Sequence, residues 1–340
     1  MSQLWKVSAC VLSLIVVLPL LAEDTPNKED KPNKEDKSNK KVAYLDSKDA
    51  GDDFQVQGEY IGKIGDRTVG VHVIATGNGK FDAVAYTGGL PGAGWDAAKN
   101  EKLKFRFETK DGVTKLVGDG IEATIANGTI TVKHGDAKGE LKRLHRESPT
   151  LFKAAPEGSV VLFNGANVDQ WEPGKAEDGG LMGVGTRTKK VFENYSLHFE
   201  FRTPFMPNES GQGRGNSGLY LGDQYECQIL DSFGLEGEDN ECGGIYKNAK
   251  PKVNMCFPPL TWQTYDIDFT CAKFDVDGKV TAPARVTVKH NGVIIHENLD
   301  LNPTPGGGRM DQKPGALFLQ DHGDPVRFRN IWVVEKKTAA

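Results

Sequence analysis

The sequence predicts an all-β protein, and three observations lead to this fold class. Glycine occurs 40 times in 340 residues, well above the average usage of about 7%, which indicates many tight turns. Short runs of alternating apolar and polar residues follow one another from Val42 onward, as in half-buried strands. Asn-Gly pairs join successive runs, for example GNGK at 77–80 and HNGV at 290–293, and supply the positive φ angles of hairpin turns.

The N-terminus predicts export. Lys6 precedes an apolar run from Val7 to Ala22, which is short for a bilayer span of about 20 residues. One basic flank, a Leu-rich centre and a small residue at its end are typical of a secretory signal, so we expect a signal peptide over residues 1–22. The protein would then be periplasmic, extracellular or bound at the cell surface. It would meet a membrane only if the signal is retained.

Composition and patterning divide the rest of the chain. Residues 23–41 repeat Pro, Asn, Lys, Glu and Asp without an apolar side chain, which predicts a charged disordered tether. Residues 42–150 predict a small antiparallel β domain, and residues 158–336 have longer amphipathic strands, so two stacked antiparallel sheets are expected. The formal net charge is −5, and no basic run after residue 41 indicates a nucleic-acid partner. The sequence leaves the oligomeric state open.

Four cysteines follow the predicted signal peptide, an even number that permits disulfides in an oxidising compartment. Cys242 and Cys256 lie in loop-like sequence, and we expect a bridge between them. Cys227 lies on the apolar side of its strand. Cys227 and Cys271 are expected either to pair or to stay as buried thiols.

The segment RGNSGLYLGDQYECQILD, residues 214–231, predicts two strands with an unusual polar face. Residues two apart share a face of a strand, so Asn216 lies in line with Tyr220, and Glu226 with Gln228. The opposite face is a predicted core face, and its members are Leu219, Leu221, Tyr225, Cys227 and Ile229.

Three other strands show the same alternation, in YSLHFEFR, GALFLQDHG and VRFRNIW. Their polar positions include Gln320, His322 and Arg329. Any one of these faces could be a merely solvated sheet surface. Together, however, the short or planar groups suit sugar hydroxyls and proton transfer, and they predict the floor of a cleft.

Six motifs in order resemble the 3-keto-disaccharide hydrolase family: LFNGANVDQW, GNSGLYL, YECQILDS, GGIY, TWQTYDIDF and LFLQDHGDPVRFRNIWV. The resemblance covers about residues 158–336. It implies a concanavalin A-like jelly-roll β-sandwich in an exported carbohydrate-active protein, preceded here by the small antiparallel β domain. The tether and first domain resemble the forepart of planctomycete members.

The resemblance also implies a reaction and its residues. The family acts on 3-keto glycosides, where a base takes the C2 proton, the C1 oxygen leaves and water adds, which amounts to hydrolysis. Glu226 would be a base or metal ligand, His322 the second acid/base or a ligand, and Arg329 a donor to the enolate. A divalent cation, Ca²⁺ or a transition metal, would bind at Glu226 and His322. The residues implied to contact substrate are Asn216, Tyr220, Gln228, Tyr246 and Gln320, with Asp231 joining them only if a bulge interrupts its strand.

Two other functions stay open at this stage. A glucanase-like glycosidase would need a second carboxyl close to Glu226, but Gln228 and Leu230 occupy the positions that share its face. A carbohydrate-binding module without turnover would use exposed aromatic platforms, for which Trp171 and Trp262 are the candidates.

Overall fold

The structure is a computed structural model that describes residues 41–118, 120–302 and 315–336. The predicted signal peptide over 1–22 and all but the last residue of the predicted tether over 23–41 lie outside these ranges. Within the described ranges, no helix is long and apolar enough to span a membrane. The protein is nearly all β, as the sequence predicts, with one helical turn and a half in α1 (Gly51–Val56).

Eight strands between Gly58 and Leu144, of the residues described there, form a closed antiparallel barrel in the order β1-β10-β9-β8-β7-β6-β3-β2. Closure removes the sheet edges that an open sheet of this length would expose. The strands of this part of the chain are β1 (Gly58–Ile64), β2 (Arg67–Gly77), β3 (Lys80–Thr87), the short pair β4 (Leu90–Pro91) and β5 (Gly94–Trp95), β6 (Lys102–Lys110), β7 (Val113–Leu116), β8 (Glu122–Ala126), β9 (Thr129–His134) and β10 (Ala137–Leu144).

One end of the barrel is sealed. Helix α1 lies there, and Arg143 donates to the Phe54 and Gln55 carbonyl oxygens at its C-terminal end, at 3.1 and 2.7 Å. The Tyr60 hydroxyl donates to the Val56 carbonyl oxygen at 2.6 Å. Phe205, which belongs to the second half of the chain, is fully buried in the same apolar cluster. Its ring lies 5.2 Å from that of Phe54.

The strands from Val160 onward build a sandwich of two sheets. In the described residues the larger sheet runs β13-β14-β25-β16-β19-β22-β23 with β11 beside β25, and the smaller runs β12-β15-β24-β17-β18. The strands are β11 (Val160–Phe163), β12 (Trp171–Glu172), β13 (Ala176–Glu177), β14 (Leu181–Met182), β15 (Thr186–Thr188), β16 (Tyr195–Arg202), β17 (Ser217–Leu221), β18 (Tyr225–Ile229), β19 (Gln263–Thr270), the pair β20 (Lys273–Phe274) and β21 (Val280–Ala282), β22 (Ala284–His290), β23 (Val293–Leu301), β24 (Phe318–Leu319) and β25 (Arg327–Glu335). A 3₁₀ turn covers Gly211–Gly213.

A single apolar cluster fills the space between the two sheets. Leu219 and Cys227 of the smaller sheet enter it from one side, and Phe199 and Ile267 of the larger sheet from the other. Since successive side chains of a strand point to opposite faces, the polar residues of the two sheets point away from each other. This arrangement decides which of the predicted site residues can meet.

The barrel and the sandwich share buried contacts. His72 of β2 stacks on Phe233 at 4.5 Å, and Arg146, which follows β10, forms an ion pair with Glu59 of β1 while its guanidinium lies 4.9 Å from the Phe257 ring. Burial opposes ionisation of Glu59, but the hydrogen bonds from Arg146 and His72 outweigh it and lower its pKa to about 2. Glu59 is therefore ionised at neutral pH and can form this ion pair.

The predicted Cys242–Cys256 disulfide is not formed, because the four described cysteines are free thiols. Both are buried in the sandwich core, where Cys242 Sγ lies 3.3 Å from the Tyr265 hydroxyl and the Cys256 thiol donates to the Leu230 carbonyl oxygen at 3.6 Å. Cys227 is fully buried close to Cys242. Cys271 lies apart, with its thiol donating to the Glu193 carbonyl oxygen at 3.0 Å. Buried thiols in an apolar core behave as small hydrophobic groups.

Candidate active site

Two neighbouring strands present the candidate site. Strands β17 and β18 form a hairpin in which Tyr220 pairs with Glu226 and Gly218 with Gln228. Strand β24 lies on the other side of β17, with Phe318 opposite Tyr220. We call the outward-facing residues of these three strands, Gly218, Tyr220, Glu226, Gln228 and Phe318, the small-sheet face. The alternation predicted for residues 216–229 thus places these groups on one surface.

Glu226 is the titratable group at the centre of the small-sheet face. Glu226 is only 3% exposed, and the Tyr220 hydroxyl donates to its Oε2 at 2.9 Å. Burial raises the pKa of Glu226 to about 7, although the Tyr220 hydrogen bond acts in the opposite direction. A carboxyl with a pKa near neutrality is present in both protonation states at pH 7, which is what a general acid or base needs.

Gly218 makes room for this carboxyl. A Cβ built on Gly218 would lie 2.3 Å from Oε1 of Glu226 and 3.0 Å from its Cδ. No side chain can occupy that space while Glu226 keeps its position. The close approach of the Glu226 carboxylate to the neighbouring strand therefore explains Gly218, the second glycine of the GNSG motif.

Gln212 links the two amide side chains that the sequence assigns to substrate hydroxyls. Asn216 Nδ2 donates to the carbonyl oxygen of Gln212 at 2.8 Å and to its Oε1 at 3.2 Å. Gln228 Nε2 donates to the same Oε1, also at 3.2 Å. Asn216 Oδ1 is buried and has no hydrogen-bond partner among the described residues. A buried unpaired acceptor costs about 1–3 kcal/mol, so this atom is suited to a donor from a ligand.

The backbone of Asn216 is held by a residue of a distant loop. Asp324 accepts a hydrogen bond from its amide nitrogen at 2.8 Å and pairs with Lys41 at 3.3 Å. Sequence reasoning did not single out Gln212 or Asp324. Gln212 stands between glycines just before the GNSG motif and Asp324 lies in the HGDP run, so proximity to the quoted motifs was the signal that could have found them.

Tyr246 is brought to the site by the GGIY segment, which lines the open edge of β18. The Tyr246 amide donates to the Glu226 carbonyl oxygen at 3.0 Å, and the Gln228 amide donates to the Gly244 carbonyl oxygen at 2.9 Å. Gln320 also lies at the site, because its Nε2 donates to the Tyr220 hydroxyl at 3.5 Å. Tyr246 and Gln320 are both partly exposed, whereas Glu226 is buried.

The structure does not place Asp231 with the other residues predicted to bind substrate. Strand β18 ends at Ile229, and Leu230 turns into the core. Asp231 then accepts from Arg214 Nε at 2.6 Å in a buried ion pair, while Arg214 Nη1 donates to the Ala75 carbonyl oxygen of the barrel at 2.9 Å. The Asp231 carboxylate is thus engaged in joining the two halves of the molecule.

The predicted role of Arg329 as a donor to the enolate is wrong. Arg329 lies on β25 of the larger sheet and donates to Glu200 Oε2 at 2.7 Å, with its guanidinium 4.0 Å from the Trp262 ring. The outward side chains around it, His198, Glu200, Asp266, Arg329 and Trp332, form what we call the large-sheet face. Because the sandwich core separates the two faces by about 10 Å or more, Arg329 cannot donate to a substrate held at Glu226.

His322 follows β24 in the exposed loop 321–323, two residues after Gln320, and its role as acid/base or ligand stays a prediction. Among the described residues, no three His, Cys, Asp or Glu side chains are grouped to hold a metal ion. The divalent cation that the family resemblance implies at Glu226 and His322 stays a prediction.

Comparison with known proteins gives one family match. Residues 158–334 match the family described as 3-keto-alpha-glucoside-1,2-lyase-like domain, which is more than half of the chain. No functionally curated protein is a significant match. The matched range contains both sheets of the sandwich and every residue of the small-sheet face.

Solved structures from Parabacteroides distasonis resemble the same part of the chain. One protein, named provisionally as a glycosyl hydrolase, is 32% identical, with a TM-score of 0.49, and the alignment covers 54% of this chain and 85% of that one. A second of the same provisional name is 19% identical with a TM-score of 0.39, covering 53% and 95%. A third is 20% identical with a TM-score of 0.37, covering 52% and 99%.

Proposed function

The chain belongs, through residues 158–334, to the 3-keto-alpha-glucoside-1,2-lyase-like domain family, and on that premise we propose that it cleaves glycosides whose sugar ring carries a ketone at C3. Membership of this family supports a carbohydrate-active enzyme. The single observation that carries the finer proposal is the Glu226 carboxyl, whose pKa burial raises to about 7.

The proposed reaction needs a base of this strength. A C3 ketone acidifies the hydrogen on C2, and the Glu226 carboxylate removes that proton. The electron pair of the former C2–H bond forms a double bond between C1 and C2, and the bond from C1 to the leaving oxygen breaks. The leaving oxygen gains a proton, so the products are an enone and an alcohol. Water then adds to the enone, and the sum is hydrolysis. Glu226, protonated by the first step, can return its proton during the second.

The neighbours of Glu226 fit supporting roles. The Tyr220 hydroxyl orients the carboxylate through its hydrogen bond at 2.9 Å. The amides of Asn216, Gln228 and Gln320 are donors and acceptors for ring hydroxyls, and Tyr246 offers a partly exposed ring at the border. His322 is the proposed acid for the leaving oxygen. A divalent cation at Glu226 and His322, implied by the family resemblance, remains part of the proposal that only a metal test can support.

The two alternatives lose support from the geometry of the same region. A glucanase-like pair would need a second carboxyl beside Glu226, but Leu230 is in the core and Asp231 pairs with Arg214. A binding module would need exposed aromatic platforms, but Trp171 is 2% exposed and Trp262 is covered by two arginines on the large-sheet face.

We propose export for the whole chain on the basis of its N-terminal sequence, with residues 1–22 as the signal peptide. The oxidised sugar would then be met outside the cytoplasm. Edman or mass-spectrometric determination of the N-terminus of secreted protein tests this proposal. A mature protein that still begins at Met1 would contradict cleavage.

The function is tested by incubating the mature protein with a 3-keto glucoside and, separately, with its unoxidised parent, each with and without chelator. We expect cleavage of the 3-keto sugar alone. Loss of that activity on chelation, and its return with Ca²⁺ or a transition metal, would support the cation. Binding of either sugar without cleavage in every arm would contradict the enzyme and favour a binding module.

A further inference from the structure

The barrel holds an apolar cavity that the chemistry at Glu226 does not use. Its volume is ≈ 180 Å³. An engineered cavity of about 150 Å³ lined by aliphatic and aromatic side chains stays dry and binds benzene. Eight-stranded barrels are just wide enough to be filled by side chains or to hold one small ligand. The barrel of this protein therefore has space for a molecule the size of one aromatic ring.

The cavity lies in one half of the barrel, where its lining is mostly aliphatic and includes two small side chains. Ala85 of β3 and Ala123 of β8 face inward there. In the other half, bulkier rings fill the interior: Tyr60, Phe81 and Phe107 are at most 5% exposed. Helix α1 and Phe205 close that filled end. Packed rings therefore bound the cavity on the side of helix α1.

The opposite end of the cavity is open to solvent. On β6 the inward residues become less exposed along the strand, from Leu103 at 37% to Phe107 at 5%, with Phe105 between them. Three polar residues border the cavity at the same end, Thr87, Glu101 and His134. Of these, Glu101 and His134 are exposed. A ligand could enter here with its apolar part first and keep a polar substituent in water.

We propose that the barrel is a binding site for a small apolar group, a single aromatic ring or an alkyl chain of similar volume. The driving force is the removal of apolar surface from water in a lined, preformed space. This site is separate from Glu226, and the proposal does not depend on the proposed function of the sandwich.

Toluene is the probe for the test. We expect one molecule to bind per chain of the mature protein, measured by calorimetry or ligand-observed NMR, and to raise the melting temperature as a ligand of the folded state does. Nuclear Overhauser effects should connect toluene to the methyl groups of Leu103 and Ile130, which line the cavity.

A matched pair of variants locates the site. Ala123→Leu adds bulk inside the cavity, and toluene affinity should fall by at least about tenfold, since the space for the ring is lost. Ala126→Leu makes the same change on the same strand at an exposed position, and affinity should stay within about twofold. Ala85→Leu gives a second filled cavity if Ala123→Leu fails to fold.

Three results would overturn the proposal. The folded protein could fail to bind toluene. Toluene could bind equally well to the Ala123→Leu and Ala85→Leu variants, which would mean that the apolar site is elsewhere. The methyl groups of the cavity could show contacts to protons of residues outside the barrel strands, which would mean that another segment of the chain fills the space.

Discussion

The two outer faces of the sandwich carry similar residues and behave differently. On the large-sheet face, Glu200 accepts hydrogen bonds from Arg329, from Asn330 at 2.8 Å and from the backbone amide of Phe152 at 2.6 Å. Burial opposes its ionisation, but these bonds together with that from His198 lower its pKa. On the small-sheet face, burial raises the pKa of Glu226.

The difference comes from what covers each face. The linker between barrel and sandwich crosses the large-sheet face, where Thr150 donates to Asp266 at 2.6 Å and Trp332 donates to the Lys153 carbonyl oxygen at 3.1 Å. Hydrogen bonds to the charged form hold Glu200 ionised, which makes it a structural anion. On the small-sheet face, the Tyr220 hydroxyl donates to Glu226 and itself accepts from Gln320, and burial outweighs the Tyr220 hydrogen bond and raises the pKa of the carboxyl.

Neutralising each carboxylate in turn tests the difference between Glu226 and Glu200 most directly. Glu226→Gln should lower kcat/KM for a 3-keto glucoside by about 10²- to 10⁴-fold, the usual contribution of a general base. Glu200→Gln is the matched control and should leave kcat/KM of the folded protein within a few-fold. Steady-state kinetics, at a temperature where circular dichroism shows both variants folded, decides between them. Full activity in Glu226→Gln would remove Glu226 from the mechanism.

Stability against pH separates the same two residues. A carboxyl whose folded pKa is raised from 4.5 to about 7 stabilises the fold below pH 4.5, and this contribution is lost as pH rises through 7. Glu226→Gln should therefore be more stable than wild type by roughly 3 kcal/mol at pH 8 and nearly equal to it at pH 4. Urea unfolding at both pH values measures this. An equal difference in the free energy of unfolding at both pH values would show that burial does not raise the pKa of Glu226.

The ion pair of the large-sheet face is tested by Arg329→Met. Loss of the guanidinium leaves Glu200 buried with fewer partners, and the free energy of unfolding should fall by about 2 kcal/mol. Arg327→Met is the control on the same strand. Its partner Glu177 is 37% exposed on its side chain, so the loss should stay under about 1 kcal/mol. An Arg329→Met variant that folds stably but loses catalysis would contradict its placement away from the substrate.

The smallest expected effect is a shift in the pH profile. Tyr220→Phe removes the hydrogen bond that lowers the pKa of Glu226, so the acidic limb of kcat/KM, expected near pH 7, should move upward by less than about one pH unit. Tyr225→Phe changes a tyrosine on the core side of the same hairpin and should leave the limb in place. A downward shift in Tyr220→Phe would show that Tyr220 does not stabilise the carboxylate.

Alternation along the strands allowed much of this structure to be predicted. The apolar side of β17 and β18, with Leu219 and Cys227, is in the core as expected, and Glu226 and Tyr220 share the predicted face. Alternation reports which residues of one strand lie together, because the side-chain period is two. It carries no information on which of two sheets a strand joins, and for that reason Arg329 was placed at the wrong surface.

Other features depended on contacts between distant parts of the chain. The fate of Asp231 depended on where β18 ends and on Arg214. The loop-like sequence around Cys242 and Cys256 did not reveal that both thiols are in the core. Closure of the barrel requires β1 to pair with β10, some 80 residues later, and no local pattern specifies such a pairing.

Phe205 and Arg214 have a consequence for the evolution of the chain. Both belong to the sandwich half, yet one ring completes the base of the barrel and the other side chain binds the Ala75 carbonyl oxygen within it. A gene rearrangement that moved either half alone would expose the Phe205 ring and remove the hydrogen bond from Arg214 to the Ala75 carbonyl oxygen. The two halves are therefore expected to be inherited as one unit, and sandwich proteins that lack the barrel should carry different residues at these two positions.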